Sequence, residues 1–313
     1  MTPARATTPA FSPPEPTRIG PRLFEWGSRT FVMGIVNVTP DSFSGDGLLA
    51  RAYAAADLSS SASHAPSAAS PGASAVDRAV AQARHMVDEG ADILDVGGES
   101  TRPAHEAVAA DEESARVVPV IAAIHAALPH IPISVDTSKP AVAEAAVAAG
   151  AALINDVWGV SADDAIARVA AAGGVALVLM HNRTEPRYDD FVAELIEDLR
   201  AAVDRAEAAG VPRGDLIVDP GFGFGKSAEH NLTAMRELAA LRVLGRPILL
   251  GTSRKSTLGR VLGGLPAEDR LEGTLATTAL GIAGGADIVR VHDVRANVRT
   301  ALVADAIVRG WYE

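Results

Sequence analysis

Phe31-Val-Met-Gly-Ile-Val-Asn37 is a strand-length apolar run that ends in an amide, and a Thr-Pro break follows at once. Ile93-Leu-Asp95, running into Gly97-Gly98-Glu99, repeats the form, as do Ile133-Ser-Val-Asp136, Leu153-Ile-Asn-Asp156 and Val175-Ala-Leu-Val-Leu-Met180 with His181. Leu216-Ile-Val-Asp219, Pro247-Ile-Leu-Leu-Gly251 and Ile288-Val-Arg-Val-His292 complete the series of eight. Between most of these runs Ala, Val, Leu and Ile recur at helical spacing, which predicts parallel strands joined by crossover helices. Eight such units predict an α/β chain folded as a single-domain (β/α)8 TIM barrel. Strand C-termini meet on one rim in that fold, so the polar residues that end the runs become candidates for chemistry.

Outward from the strands, helices are expected from about residue 75 to a stop at Gly90, and over 111–127, 140–149, 162–172, 191–209, 230–244, 268–283 and 296–308. Pro140 suits a first helical turn, and Gly150, Gly173 and Gly210 suit helix stops. Two segments fall outside the pattern. Residues 1–25 are rich in Pro and Thr and are expected to form a disordered tail, leaving 26–313 as the barrel domain. An Ala/Ser-rich insertion at about 50–75 lies between the first strand and its helix, where a barrel tolerates added chain.

The 313 residues are accounted for by one barrel of roughly 250 residues plus these additions. Hydrophobic residues make up 48%, ample for a core, but aromatics only 4%, so packing must rest on aliphatic side chains. The chain has no cysteine, which excludes disulfides, thiolate metal sites and a cysteine nucleophile, and fits a cytoplasmic location. A net charge of -11 argues against nucleic acid or an anionic membrane as partner. No apolar stretch reaches the roughly 18 residues that span a bilayer.

Asp136, Asn155 and Asp219 end three of the runs. A carboxylate and an amide at a barrel mouth suit a flat nitrogen heterocycle, whose ring N–H and amino groups they would accept; helix capping or loop tying is the alternative. Arg102, Arg254, Lys255, Arg290 and His292 form a basic set that suits an oxyanion, or else closes loops by ion pairing. The loop Asp219-Pro-Gly-Phe-Gly-Phe-Gly-Lys226 has glycines that either bring amides to a phosphate or simply permit a tight turn. It is not a P-loop, since Pro220 stands where the first Gly is needed. Asn37 with Asp41, or Glu99 with Thr101, offers oxygen ligands for Mg²⁺. His181 reads as a polar strand-end residue rather than a metal ligand.

Taken together and in order, the motifs resemble those of the dihydropteroate synthases, from Phe31 to about Val303. The blocks that carry the resemblance are Met33-Gly-Ile-Val-Asn-Val-Thr-Pro-Asp-Ser-Phe-Ser44, Gly97-Gly-Glu-Ser-Thr-Arg-Pro103, Ser134-Val-Asp-Thr137, Ile154-Asn-Asp156, Asp219 to Lys226, Gly251-Thr-Ser-Arg-Lys255 and Val289-Arg-Val-His-Asp-Val294. The resemblance implies a homodimer that joins 6-hydroxymethyl-7,8-dihydropterin diphosphate to 4-aminobenzoate and releases pyrophosphate. It implies that Asp136, Asn155, Asp219 and Lys255 bind the pterin, with Met180, Phe224 and Gly251 shaping its slot. Asn37 would hold Mg²⁺; Thr101, Arg102, Arg290 and His292 would hold the diphosphate; Phe43, Pro103, Lys255 and Ser256 would meet the aminobenzoate. Two departures stand out. The first loop reads Ser42-Phe-Ser-Gly-Asp46-Gly47, which displaces the loop carboxylate by one position onto Asp46, and Ala104 replaces the usual Gly after Pro103.

Rival readings are a pterin-binding paralogue without catalysis, a methyltetrahydrofolate:corrinoid methyltransferase and a generic phosphosugar barrel. The basic residues with Asn37 weigh against the first, Ser100-Thr-Arg-Pro103 and Arg290-Val-His292 against the second, and the Asp136, Asn155 and Asp219 set against the third.

Overall fold

The structure, a computed structural model, describes residues 12–38, 74–99, 108–159 and 163–310. Eight parallel strands, β3 (Phe31–Asn37), β4 (Ile93–Gly97), β5 (Ile133–Asp136), β6 (Leu153–Asp156), β7 (Ala176–Met180), β8 (Leu216–Asp219), β9 (Leu249–Leu250) and β10 (Ile288–Val291), form one sheet. Each pairs with its sequence neighbour from β3 to β8, and β10 lies between β3 and β9. A parallel bridge between Val218 and Ile248, with the Val218 N–H donating to the Pro247 carbonyl at 3.0 Å, links β8 to β9 and joins the sheet's two edges. The expected barrel is present.

Strand alternation sorts every run into two faces. Val32, Val36, Leu94, Val96, Ile133, Val135, Ile154, Leu177, Leu179 and Val218 pack outward in the cluster that includes the helices. Met33, Ile93, Leu153, Val178, Ile217, Leu249 and Ile288 pack inward in a second cluster. Two residues further along these strands the same inward phase brings up Asp95 in the middle of β4, and Asn155, Met180, Asp219, Gly251 and Arg290 at or next to the C-terminal ends of theirs. The barrel interior is thus apolar at its floor and polar at its mouth.

The outer layer follows the predicted helices closely: α1 (Ala75–Asp88), α2 (Ala110–Ala127), α3 (Pro140–Ala148), α4 (Ala165–Gly173) and α5 (Phe191–Ala208). Helix α1 opens on a capping box, the Ser74 hydroxyl accepting from the Asp77 N–H at 3.1 Å while Asp77 accepts from the Ser74 N–H. The helix expected over 230–244 divides into α6 (Ala228–Arg236) and a 3-10 turn at Leu238–Leu244. Leu238, Leu241 and Leu244 are all buried, and the three-residue repeat of the 3-10 turn stacks them on one face. A short α7 (Ser256–Val261) was not expected, since six residues are too few to show a helical period. Helices α8 (Leu271–Ala283) and α9 (Val294–Val308) end the chain's described part.

One expectation is corrected. Residues 1–25 do not form a disordered tail throughout: Thr17–Ile19 (β1) and Arg22–Phe24 (β2) make an antiparallel hairpin. Ile19, Phe24 and Trp26 join the inward apolar cluster, so the hairpin closes the barrel floor. Phe24 stacks on Trp26 and meets Phe31 edge-on, with centroids 5.6 and 4.7 Å apart. Trp26 donates to the Thr17 hydroxyl at 2.9 Å, which removes the cost of burying its N–H. Phe24→Ala is expected to cost about 3–5 kcal/mol, as for other fully buried phenylalanines, and urea unfolding will measure it. A loss under about 1 kcal/mol would mean that the hairpin does not seal the floor. Of the Ala/Ser-rich insertion at 50–75, all but the last two residues lie outside the described residues.

Candidate active site

Asp95, Asp136 and Arg290 form the centre of the mouth. Arg290 Nε lies 2.5 Å from Asp95 Oδ2, and a terminal nitrogen lies 2.5 Å from Asp136 Oδ2. The Asn155 amide donates to Asp95 Oδ2 at 3.4 Å. Strand register produces this grouping: Asp95 pairs with Ser134 across β4–β5, and Asp136 with Asn155 across β5–β6. Burial, reinforced by the neighbouring Asp95 and Glu113 charges, pushes the Asp136 carboxyl up to about 7 against the pull of Arg290 and Lys255. Burial alone would lower the Arg290 pKa, but the two carboxylates more than offset it, so the guanidinium stays charged. Asp95 Oδ1, Asp136 Oδ1, Asn155 Oδ1 and Ser134 Oγ are buried without a hydrogen-bond partner among the described residues. Acceptors left in that state carry a desolvation cost that a ligand's donors would relieve.

Asp219 and Lys255 form the second group. Asp219 is 4% exposed, and burial raises its pKa while the Lys255 charge opposes the rise. Its Oδ1 accepts from the Gly221 N–H at 2.7 Å. Burial lowers the Lys255 ammonium to about 8 although Asp219 favours its charge. The ammonium donates to the Phe222 carbonyl and sits 4.4 Å from the Phe224 ring centroid, a cation–π distance. Met180 pairs with Asp219 across β7–β8 and is buried beside it.

The Gly-rich loop is resolved in favour of packing. Gly221 and Gly225 have φ of +67° and +52°. A Cβ on Gly221 would collide with the His181 carbonyl, and one on Gly225 with the Arg183 backbone. These glycines let the loop lie against the chain that leaves β7, and that close approach is sufficient reason for them.

Not all of the basic set faces a ligand. Arg254 makes a bidentate pair with Asp293 at 3.0 and 2.6 Å, which ties the loop after β9 to the one after β10. That loop is strained, with Arg254 at φ +59°. His292 Nδ1 lies 2.9 Å from the Ser253 hydroxyl, and Ser256 is exposed at the start of α7. Arg290, expected on a diphosphate, is engaged here by Asp95 and Asp136 through Nε and one terminal nitrogen, and a guanidinium has further N–H donors for an anion. Gly251 lies beside Arg290 and Lys255, and Asn37 is half-buried at the end of β3. Phe43, Asp46, Thr101, Arg102 and Pro103 lie outside the described residues. Asp95 and Ser134 were not singled out from the sequence. Their inward phase, one pair below Asp136 and Asn155 in register, was the available signal.

Among the described residues no group of three or more His, Asp or Glu could hold a metal ion. The described part of the mouth sets hydrogen-bond acceptors around buried cations: it can hold a planar donor-rich ring and neutralise an anion.

Known proteins share this chain's sequence and fold. The family model described as pterin binding enzyme matches residues 62–292. A dihydropteroate synthase of Clostridium beijerinckii is 47% identical over 293 residues, covering 93% of this chain and 99% of the relative. One from Bacillus subtilis is 46% identical and covers 92% of each. Among solved structures, the Clostridium difficile dihydropteroate synthase determined in the presence of pteroic acid superposes with a TM-score of 0.80 at 44% identity, covering 91% of this chain and 99% of the other. The Xanthomonas albilineans enzyme with 4-aminobenzoic acid gives 0.81 at 41% identity, covering 94% and 98%.

Proposed function

The chain belongs to the dihydropteroate synthases of the pterin-binding enzyme family, and from that premise we propose how its barrel mouth divides the reaction. The enzyme joins 6-hydroxymethyl-7,8-dihydropterin diphosphate to 4-aminobenzoate, forming 7,8-dihydropteroate and pyrophosphate. The observation that carries the division of labour is the layer of buried oxygens on Asp95, Asp136 and Asn155, without a partner among the described residues, beside Asp219. A pterin presents amino and ring N–H donors along one edge, and these four residues accept them. Lys255 donates to the ring's acceptors, and Met180 and Phe224 cover its faces.

The bond from the pterin methylene to the diphosphate oxygen breaks, the arylamine nitrogen bonds to that carbon, and the amine's proton passes to solvent. No strong base is needed for a neutral arylamine attacking an electron-poor methylene. The protein's part is leaving-group neutralisation, alignment and exclusion of water. Thr101, Arg102, His292 and the remaining donors of Arg290 take the diphosphate, while Phe43, Pro103 and Ser256 serve the aminobenzoate side. Asp46 supplies the first loop's carboxylate.

Asn37 fits Mg²⁺, a hard cation that takes oxygen donors, keeps several waters and needs no dedicated cage when phosphates share it. Bound there, Mg²⁺ would supply further neutralisation of the departing pyrophosphate. Calorimetric titration with pterin diphosphate tests the proposal. Binding is expected with Mg²⁺ present and at least about tenfold weaker after chelation, and absence of binding in both conditions would sink it.

The same proposal includes a cytoplasmic homodimer. Leu280 on α8, with Leu302, Val303 and Ile307 on α9, are large apolar side chains exposed on two helices that pack together through Ala301 and Ala304. A second copy would cover them. Ile307→Glu is expected to shift the sedimenting species to half its mass, and an unchanged mass would move the interface elsewhere. Among the described residues no helix is long and apolar enough to cross a membrane.

A further inference from the structure

His181 and Lys226 stand behind the pterin slot and have no part in the chemistry above. The His181 side chain is fully buried, with Nε2 3.0 Å from Asp198 Oδ2 on α5. Its Nδ1 lies 2.8 Å from the Lys226 ammonium, which also donates to the His181 carbonyl at 3.2 Å and the Phe224 carbonyl at 3.0 Å. Arg183 donates to the same Asp198 oxygen, Nε to Oδ2 at 2.9 Å, and reaches Glu194 at 2.7 Å. Tyr188 donates to the Gly225 carbonyl at 2.8 Å, so two successive carbonyls of the Gly-rich loop are tied to this cluster.

The proton positions follow from these partners. The Asp198 carboxylate accepts from Nε2, which leaves Nδ1 as the acceptor that Lys226 requires. Burial, aided by the Lys226 charge, pulls the His181 pKa down to about 4, so the ring is neutral when the enzyme works. The ammonium then has three donors and three acceptors. Burial also draws the Lys226 pKa down to about 7, with Asp219 and Asp198 opposing and Lys255 and Arg183 assisting.

The consequence reaches the slot through Phe224. Its carbonyl is held by Lys226 and its ring rests against the Lys255 ammonium. Gly221 meanwhile seats the loop on the His181 carbonyl that Lys226 also holds. We propose that Lys226 is a positioning residue, acting through an Asp198–His181–Lys226 chain that sets the Gly-rich loop, and with it Phe224 and Lys255, to receive the pterin. None of the three touches the reacting atoms. The inference rests on the pterin reading, and the experiment separates the two.

Lys226→Met keeps the side-chain length and removes all three donors. It is expected to raise the KM and calorimetric Kd for pterin diphosphate by about tenfold or more, with kcat and the KM for 4-aminobenzoate within about twofold. A role confined to stability would instead lower the melting temperature and the active fraction while leaving KM unchanged. Asp198→Ala, on the partly exposed outer helix, is expected to raise the same KM by about threefold, because His181 is then free to take the tautomer that opposes Lys226. Wild-type affinity in Lys226→Met overturns the proposal. Should that variant not fold, an unchanged KM in Asp198→Ala overturns it instead. A wild-type enzyme that fails to bind pterin diphosphate defeats the pterin reading itself, and the chain of residues with it.

Discussion

Asp219→Ala is expected to abolish measurable binding of pterin diphosphate while leaving the barrel folded. The carboxylate stands at the inward C-terminal end of β8, 4% exposed and opposite Met180, with Lys255 as its counter-charge. Charge-assisted hydrogen bonds contribute roughly 1.5–3 kcal/mol each, and a pterin edge offers two donors to one carboxylate. Loss of about 3 kcal/mol or more follows, at least a hundredfold in Kd. The fold should survive because burial already disfavours ionised Asp219, so its removal relieves a cost as it exposes Lys255 and the Gly221 N–H. A melting temperature within a few degrees of wild type, with no calorimetric binding signal, is the expected pair of results. Near-wild-type affinity would show that the ring lies elsewhere.

Arg290→Ala should impair both catalysis and folding, and the folding defect should depend on pH. One guanidinium here neutralises two buried carboxylates, and removing one partner of such a buried pair typically costs about 3–5 kcal/mol. Asp136 can escape part of that cost by taking up a proton. Asp136 is already pushed up to about 7 by burial, and without Arg290 its folded pKa rises further. A carboxyl whose folded pKa lies above its unfolded value binds more protons when folded, so stability falls as pH rises between the two values. The variant's deficit is therefore expected to be small near pH 4 and to grow through pH 7 and beyond. Urea midpoints at pH 5 and pH 8 will measure it, and an equal deficit at both would contradict the electrostatic account. Turnover should fall about 10²–10³-fold, the usual loss for one preorganised donor to a departing anion.

The barrel was legible because strand alternation and helix periodicity are local signals. The runs ending at Asn37, Asp136, Asn155 and Asp219 carry their polar residue in the inward phase, and no tertiary knowledge is needed to see it. The β1–β2 hairpin was hidden because its strands are three residues each, inside a Pro-rich segment whose composition suggested disorder. Only the barrel floor, which Ile19, Phe24 and Trp26 fill, gives that segment a reason to order. Asp95 shows a different limit. It ends an apolar run as Asp136 does, but its role comes from sharing Arg290 with Asp136, and partners 195 residues apart leave no local trace. Arg254 looked equivalent to Arg290 in sequence, and its pairing with Asp293 separated the two. The glycines after Asp219 were ambiguous for the same reason, since the His181 and Arg183 backbones they accommodate belong to the preceding strand's exit.

The central claim is that this barrel mouth couples two substrates by displacing pyrophosphate. Pyrophosphate release, followed continuously by the purified full chain with Mg²⁺, tests it most directly. Release that requires both pterin diphosphate and 4-aminobenzoate, in amounts equal to the dihydropteroate formed, is the predicted result. A folded enzyme that binds the pterin yet releases no pyrophosphate when 4-aminobenzoate is added would contradict it.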